Sequence, residues 1–237
     1  MAVVGSSGAG KSSLVGLLLG WHRPASGRLL IDGAAVDASG LGQLRRHTAW
    51  VDPSVAIWNR SLADNLTYGA AGTAVHLNAA IADVDLAPVV ARLPDGTEEV
   101  LGEGGGLLSG GEAQRVRLGR ARLRSDVRLA VLDEPFRGLD RVQRRSLLER
   151  SQGWWPGATF ILVTHDVGDT LGFDRVLVID AGQVLEDGDP QALAARDGSR
   201  YRALLDAEAE AKAAFEGPTW RSLQLDGGRL TVAELRP

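Results

Sequence analysis

Cysteine is absent from the 237 residues, which excludes disulfides and thiolate chemistry and is compatible with a reducing compartment. No apolar run approaches the roughly 18 residues that a membrane-spanning helix requires, and no secretory signal opens the sequence. A basic surplus is missing as well. The formal net charge is -4, whereas an electrostatic nucleic-acid binder usually carries excess Lys and Arg. Lysine itself is scarce: Lys11 and Lys212 are the two lysines among 26 basic residues. What is present is a 44% hydrophobic, 24% charged chain, enough for one good-sized domain or a core with a smaller lobe.

One of the two lysines stands in a distinctive place. Gly5, Ser6, Ser7, Gly8, Ala9, Gly10, Lys11 and Ser12 match the Gly-x-x-x-x-Gly-Lys-Ser/Thr phosphate loop, with Ser13 following. The loop works when a strand leads in and a helix leads out. Its glycines let backbone N–H groups turn towards phosphate oxygens, and the helix presents its positive end to them. Ala2-Val3-Val4 supply a short strand, and Leu14, Val15, Leu17, Leu18 and Leu19 supply the helix. Lys11 would reach the terminal phosphates, and Ser12 would offer its hydroxyl to Mg²⁺. A plain glycine-rich turn is the competing reading, and the spacing together with the rare lysine argues against it.

Short apolar runs end at turns near 28–33, 48–51, 128–134 and 159–165, and two strands joined through Ala181-Gly182 occupy 174–188. Helical patterns cover 11–19, 78–93, 111–124, 141–154 and 190–205. This alternation predicts an α/β fold, a P-loop NTPase core with a largely parallel sheet. Residues 54–127 hold helix and glycine-rich loop, read as a helical lobe inserted between two core strands. From about Asp206 a charged, alanine-rich helix is expected, followed by a hairpin at Gly227-Gly228. The division is therefore 1–205 for the nucleotide-binding domain and 206–237 for an extension.

The run 129–134 is a buried-strand pattern ending in Asp133 and Glu134. Alone such an ending is commonplace. Beside a phosphate loop, Asp133 is expected to help hold Mg²⁺ and Glu134 to orient and deprotonate water. Ser109, Gly110 and Gly111 precede a helix carrying Gln114, Arg115, Arg117 and Arg120, which is either a second anion-binding helix start or a plain capped helix with a basic face.

Leu108-Ser109-Gly110-Gly111-Glu112, followed by Gln114-Arg115, resembles the signature motif of ATP-binding cassette (ABC) ATPases, with Glu112 where Gln is commoner. The resemblance extends over about 1–205. Phe136 to Asp140 sits where that family has its D-loop, and His165 matches its switch histidine. Gly102-Glu103-Gly104-Gly105 is similar to the export-type branch, in which such a segment touches a membrane partner. The resemblance implies that two cassettes pack head to tail. Each ATP then lies between one phosphate loop and the other cassette's Ser109, Gly110, Gly111 and Glu112. His165 would contact the γ-phosphate, and Asp140 would communicate across the interface. It further implies ATP and Mg²⁺ as cofactors, a transmembrane domain as partner, no nucleic-acid partner, and a place at the cytoplasmic face of the inner membrane.

Two departures accompany the resemblance. Pro53 stands where the family's Q-loop carries glutamine, with Asp52 beside it, either replacing that ligand or forming a turn. The family also carries strands and an adenine-stacking aromatic ahead of the phosphate loop. The sequence is accordingly expected to be the tail of a longer polypeptide or of a truncated gene. The alternatives are a non-catalytic cassette or a soluble ATPase of the same superfamily acting on DNA or ribosomes. The retained Lys11, Asp133, Glu134 and His165 count against the first, and the absence of heptads between Lys11 and Asp133 counts against the second.

Overall fold

The computed structural model describes residues 1–70, 76–216, 222–226 and 229–233. Its centre is a six-stranded sheet built from β1 (Ala2–Val4), β4 (Thr48–Val51), β5 (Leu129–Asp133), β6 (Thr159–Val163), β7 (Val176–Asp180) and β8 (Gln183–Gly188). The spatial order is β4-β5-β6-β1-β7-β8. The pairings from β4 to β7 are parallel, and β8 runs antiparallel to β7. Buried parallel strands read as near-continuous apolar runs because both faces are covered. Ala2, Val3 and Val4 illustrate this, all within 1% of complete burial. Alternation sends Ala2 and Val4 to one face, packed with Leu132, Leu162 and Leu147, and Val3 to the other with Val131, Val163 and Val15.

Helix α1 (Lys11–Leu18) covers the second face through Val15. The first face is covered by the long helices α6 (Gly110–Arg122) and α7 (Arg141–Gln152) through Val116, Leu118, Leu147 and Leu148. The region expected to be a helical lobe contains α3 (Leu62–Thr67), α4 (Leu77–Asp83), α5 (Ala87–Arg92) and α6. Asn65, fully buried, ties the lobe's entry together. Its side chain accepts from the Trp58 N–H at 2.9 Å and donates to the carbonyls of Trp58 and Ser61 at 3.0 Å.

Four stretches differ from the sequence expectation, the last of them near the C-terminus. The apolar run at 28–33 forms one arm of a small hairpin, β2 (Leu30–Ile31) and β3 (Ala34–Ala35), outside the main sheet. Asp32 and Gly33 supply the two positive φ angles that such a turn needs. The helix expected over 78–93 is two helices, because Asp85 takes φ 55 between them. Long-range bonds hold it there: Arg150 grips its carboxylate at 3.1 and 2.5 Å, and Arg115 donates to its carbonyl at 2.6 Å. An unexpected helix, α2 (Ala38–Arg46), starts where the Asp37 side chain accepts from the Gly40 N–H.

Near the C-terminus, the helix expected over 190–205 is α8 (Pro190–Ala195) and the start of α9 (Arg200–Glu216), a single helix running on through Asp206. Glu186 opens α9 by accepting from the Arg200 and Tyr201 N–H groups at 3.0 and 2.8 Å. Strands β9 (Ser222–Asp226) and β10 (Arg229–Ala233) pair antiparallel, as the expected hairpin requires. Its turn, Gly227-Gly228, lies outside the described residues.

Candidate nucleotide site

The strand order places the ends of β1, β5 and β6 side by side, and each carries an expected site residue. At the end of β1 the chain turns at Gly5 with φ 152. A Cβ there would stand 2.1 Å from the Ile179 carbonyl oxygen, so only glycine lets the loop lie against β7. Gly10 caps α1 without any side-chain acceptor, leaving the first N–H groups of the helix to the cleft. Lys11 Nζ folds back to donate to the Gly5 and Ser6 carbonyls at 2.8 and 3.0 Å. A cleft of about 330 Å³ lies over this loop, lined by Ser7, Gly8, Ala9, Gly10, Lys11, Ser12, Ser13, Asp133 and Glu134.

Ser12 Oγ donates to Asp133 Oδ2 at 3.3 Å. A hydroxyl and a carboxylate are hard oxygen donors of the kind Mg²⁺ takes, so this pair fits the ion the phosphate loop implies. Burial pushes the Asp133 carboxyl up to about 6, and the nearby carboxylates of Asp52 and Glu134 push the same way against the Ser12 hydrogen bond and Lys11.

Glu134 follows with φ 45, a left-handed backbone rare outside glycine. That turn leaves Asp133 at the strand end and brings the next carboxylate to the cleft. Glu134 Oε2 lies 2.7 Å from His165 Nδ1, which extends from the end of β6. Phosphate loop, metal-type pair, carboxylate and histidine are thus brought together.

The signature residues sit elsewhere. Ser109 caps α6, accepting from the Glu112 N–H at 3.3 Å, while Glu112 Oε2 accepts from the Ser109 N–H at 2.8 Å. This reciprocal capping gives Glu112 a structural use in its own chain. Arg92 adds an ion pair at 2.9 Å. Burial of the Glu112 carboxyl is outweighed by these contacts, and its pKa lies below the ordinary value. Asp140 caps α7 through the Gln143 N–H at 2.9 Å. None of Ser109, Gly110, Gly111, Glu112 or Asp140 lines the cleft.

The basic face of α6 turns inward. Arg115, Arg117 and Arg120 donate to the carbonyls of Asp85, Val55 and Asn65, and Arg120 also stacks 4.2 Å over the Trp58 ring. Asp52, beside the expected position of the Q-loop glutamine, accepts from the Ser54 N–H and hydroxyl at 2.6 and 2.5 Å, which is the turn reading of the Asp52-Pro53 pair. Gln114, in the signature helix, has no role implied by its sequence position. It is 2% exposed, and its Nε2 reaches the Glu134 carbonyl at 3.4 Å. Sequence alone carried no signal for this use, because the burial of Gln114 arises only in the fold.

A glycine-rich loop feeding a helix at the C-terminal end of a parallel sheet, with an Asp-Glu strand end beside it, defines a P-loop nucleotide-binding domain. The chain belongs to the ABC transporter family, whose model matches residues 1–137. It is 36% identical over 199 residues to an ATP-dependent lipid A-core flippase of Xylella fastidiosa, covering 83% of this chain and 34% of that protein. A flippase of the same name from Xanthomonas campestris pv. campestris is 37% identical over the same length, with the same coverage. Among solved structures, a bacterial Atm1-family ABC exporter with ATP bound superposes with a TM-score of 0.80 at 32% identity, covering 88% of this chain and 36% of that one. The chain spans about a third of the length of these curated relatives. Among the described residues no helix is long and apolar enough to cross a membrane.

Proposed function

We propose that this chain is the ATP-hydrolysing cassette of an export-type ABC transporter, working with a second cassette and a transmembrane domain at the cytoplasmic face of the inner membrane. Residues 1–205 serve as the nucleotide-binding domain, with the helical lobe at about 54–127. Residues 206–237 are the extension, which holds the remainder of α9 to Glu216 and the strands β9 and β10. The phosphate loop from Gly5 to Ser13 cradles the ATP phosphates, and Lys11 exchanges its two loop carbonyls for their negative charge. Ser12 and Asp133 would hold Mg²⁺, which would neutralise charge on the phosphate oxygens.

The observation that carries the reading is the 2.7 Å contact between Glu134 and His165 at the mouth of the phosphate cleft. Glu134 accepts the proton of the attacking water, whose oxygen bonds to the γ-phosphorus as the bond to the ADP oxygen breaks. His165 holds the carboxylate in place and faces the γ-phosphate. Ser109, Gly110, Gly111 and Glu112 do not line this cleft; as the resemblance to ABC ATPases implies, they serve the ATP of the partner cassette, with Asp140 at the interface. Closure on ATP and reopening after hydrolysis move the membrane domain.

The test is phosphate release by the full chain, alone and assembled with its membrane domain. Parent activity that disappears in both Lys11→Ala and Glu134→Gln supports the reading. Release that survives both substitutions contradicts it.

A further inference from the structure

The departures at 52–53 and the unassigned Gln114 meet in one hydrogen-bonded line. Arg117 Nε donates to the Val55 carbonyl at 2.6 Å, just past the Asp52 turn, whose own carbonyl accepts from the Val55 N–H at 3.1 Å. Arg117 also donates through NH1 to Gln114 Oε1 at 3.3 Å, and Gln114 Nε2 donates to the Glu134 carbonyl at 3.4 Å. One orientation of the Gln114 amide satisfies both neighbours, because a guanidinium can only donate and a carbonyl can only accept. The last bond is long, but it is made by a nearly buried amide, where an unmade bond is costly. Beyond it stands Glu134, with the strained φ of 45 that presents its carboxylate to His165.

Desolvation pulls the Arg117 guanidinium below its ordinary pKa, and the Asp52 carboxylate pulls it back. The line therefore has an electrostatic anchor at the turn as well as a hydrogen bond. It spans the joint between the lobe helix α6, the 52–55 turn and the end of β5, elements that come together only in the folded chain.

We infer that Gln114 and Arg117 are positioning residues for Glu134, transmitting the placement of the 52–55 turn to the backbone that aims the carboxylate. This rests on Glu134 being the base, as proposed above. The left-handed turn at Glu134 is a strained conformation that its surroundings must enforce. The Gln114 amide restrains the carbonyl of that same residue, and Arg117 restrains the amide. A shift of the turn relative to α6 would thus reorient Glu134 without touching the phosphate loop.

The experiment compares Arg117→Met, Arg117→Lys and Gln114→Glu with the parent full chain, the last keeping shape while removing the side-chain donor to the Glu134 carbonyl, which also accepts from the Arg137 N–H at 3.4 Å. ATP affinity and melting temperature are measured with kcat, and the ring-nitrogen NMR resonances of His165 report the Glu134 contact without any need for turnover. The expected result is unchanged ATP affinity with a kcat loss of about 10- to 100-fold in Arg117→Met and Gln114→Glu, the scale on which misplaced groups cost rate. Arg117→Lys should recover part of that loss, and the His165 resonances should move towards those of Glu134→Ala. The double variant should be no worse than the more damaged single one, since both cut one line. In a Glu134→Gln background neither substitution should lower the residual rate further, which separates failure of this inference from failure of the base assignment. Unmoved His165 resonances overturn it, as does a kcat within about twofold of parent.

Discussion

The backbone of Gly138 closes over Gly111 so tightly that a Cβ on Gly111 would stand 2.8 Å from the Gly138 carbonyl oxygen. The start of α6 and the 136–140 turn ahead of α7 are therefore one packed unit, although they are far apart in sequence. Leu139 closes the same contact, its Cδ2 3.1 Å from the same point.

Gly111→Ala is predicted to destabilise the chain by about 1–3 kcal/mol, the usual cost of overpacking against a part that cannot yield. At this chain length that lowers the melting temperature by roughly 2–4 °C per kcal/mol. Gly110→Ala is the control, because a Cβ on Gly110 meets nothing within 4 Å. Thermal melts of the two variants should differ by that amount.

A second prediction concerns pH. The Asp133 carboxyl is raised from 3.8 to about 6 in the folded chain, first by burial and then by Asp52. The native state keeps a proton there that the unfolded chain has already lost, so this group's contribution to stability falls as pH rises from about 4 to about 6. Asp133→Asn should raise stability at pH 7 to 8 by about 1–3 kcal/mol, and the gain should vanish below pH 4. Asp52→Asn keeps the acceptor for Ser54 but removes a charge, so it should shift the loss to lower pH. Denaturant titrations across pH 3 to 8 check both. Asp133→Asn should at the same time lose Mg²⁺-dependent hydrolysis, since an active-site group is often held at a cost in stability.

Asn65→Ala should be among the most damaging substitutions in the lobe. It leaves the Trp58 N–H without its acceptor, and an unsatisfied buried group costs about 1–3 kcal/mol; the Trp58 and Ser61 carbonyls lose the side-chain donor but each keeps a backbone one. It also removes the oxygen that receives Arg120 NH2 at 3.2 Å, loosening the guanidinium over Trp58. A lowered unfolding midpoint with altered tryptophan emission is the expected readout. Unchanged emission would separate Trp58 from this network.

The parts of the fold that sequence made legible are those fixed by local rules. Buried parallel strands announced themselves as apolar runs, and the phosphate loop announced itself by spacing. The helix start after Ser109 was legible, while the reciprocal capping by Glu112 came from the structure. The break at Asp85 was illegible because Arg115 and Arg150 create it from distant helices. The small hairpin at Asp32-Gly33 was illegible because its second arm, Ala34–Ala35, is too short to show a strand pattern and the turn dipeptide looks like the end of a single strand. Within the site, Asp133, Glu134 and His165 were legible from motif order, and their meeting follows from the order of β5 and β6 in the sheet. The inward use of Arg115, Arg117 and Arg120 was not, since a basic helical face looks the same in sequence whether it meets solvent or backbone carbonyls.

The most direct test of the account is phosphate release by the Glu134→Gln chain, with ATP binding measured alongside it. Glutamine keeps the shape but cannot take a proton from water. The account predicts hydrolysis lower by about 10²–10⁴, the usual share of general base catalysis, with ATP binding retained and a nucleotide-held pair of cassettes accumulating. Phosphate release at the parent rate, with ATP still bound, would contradict it.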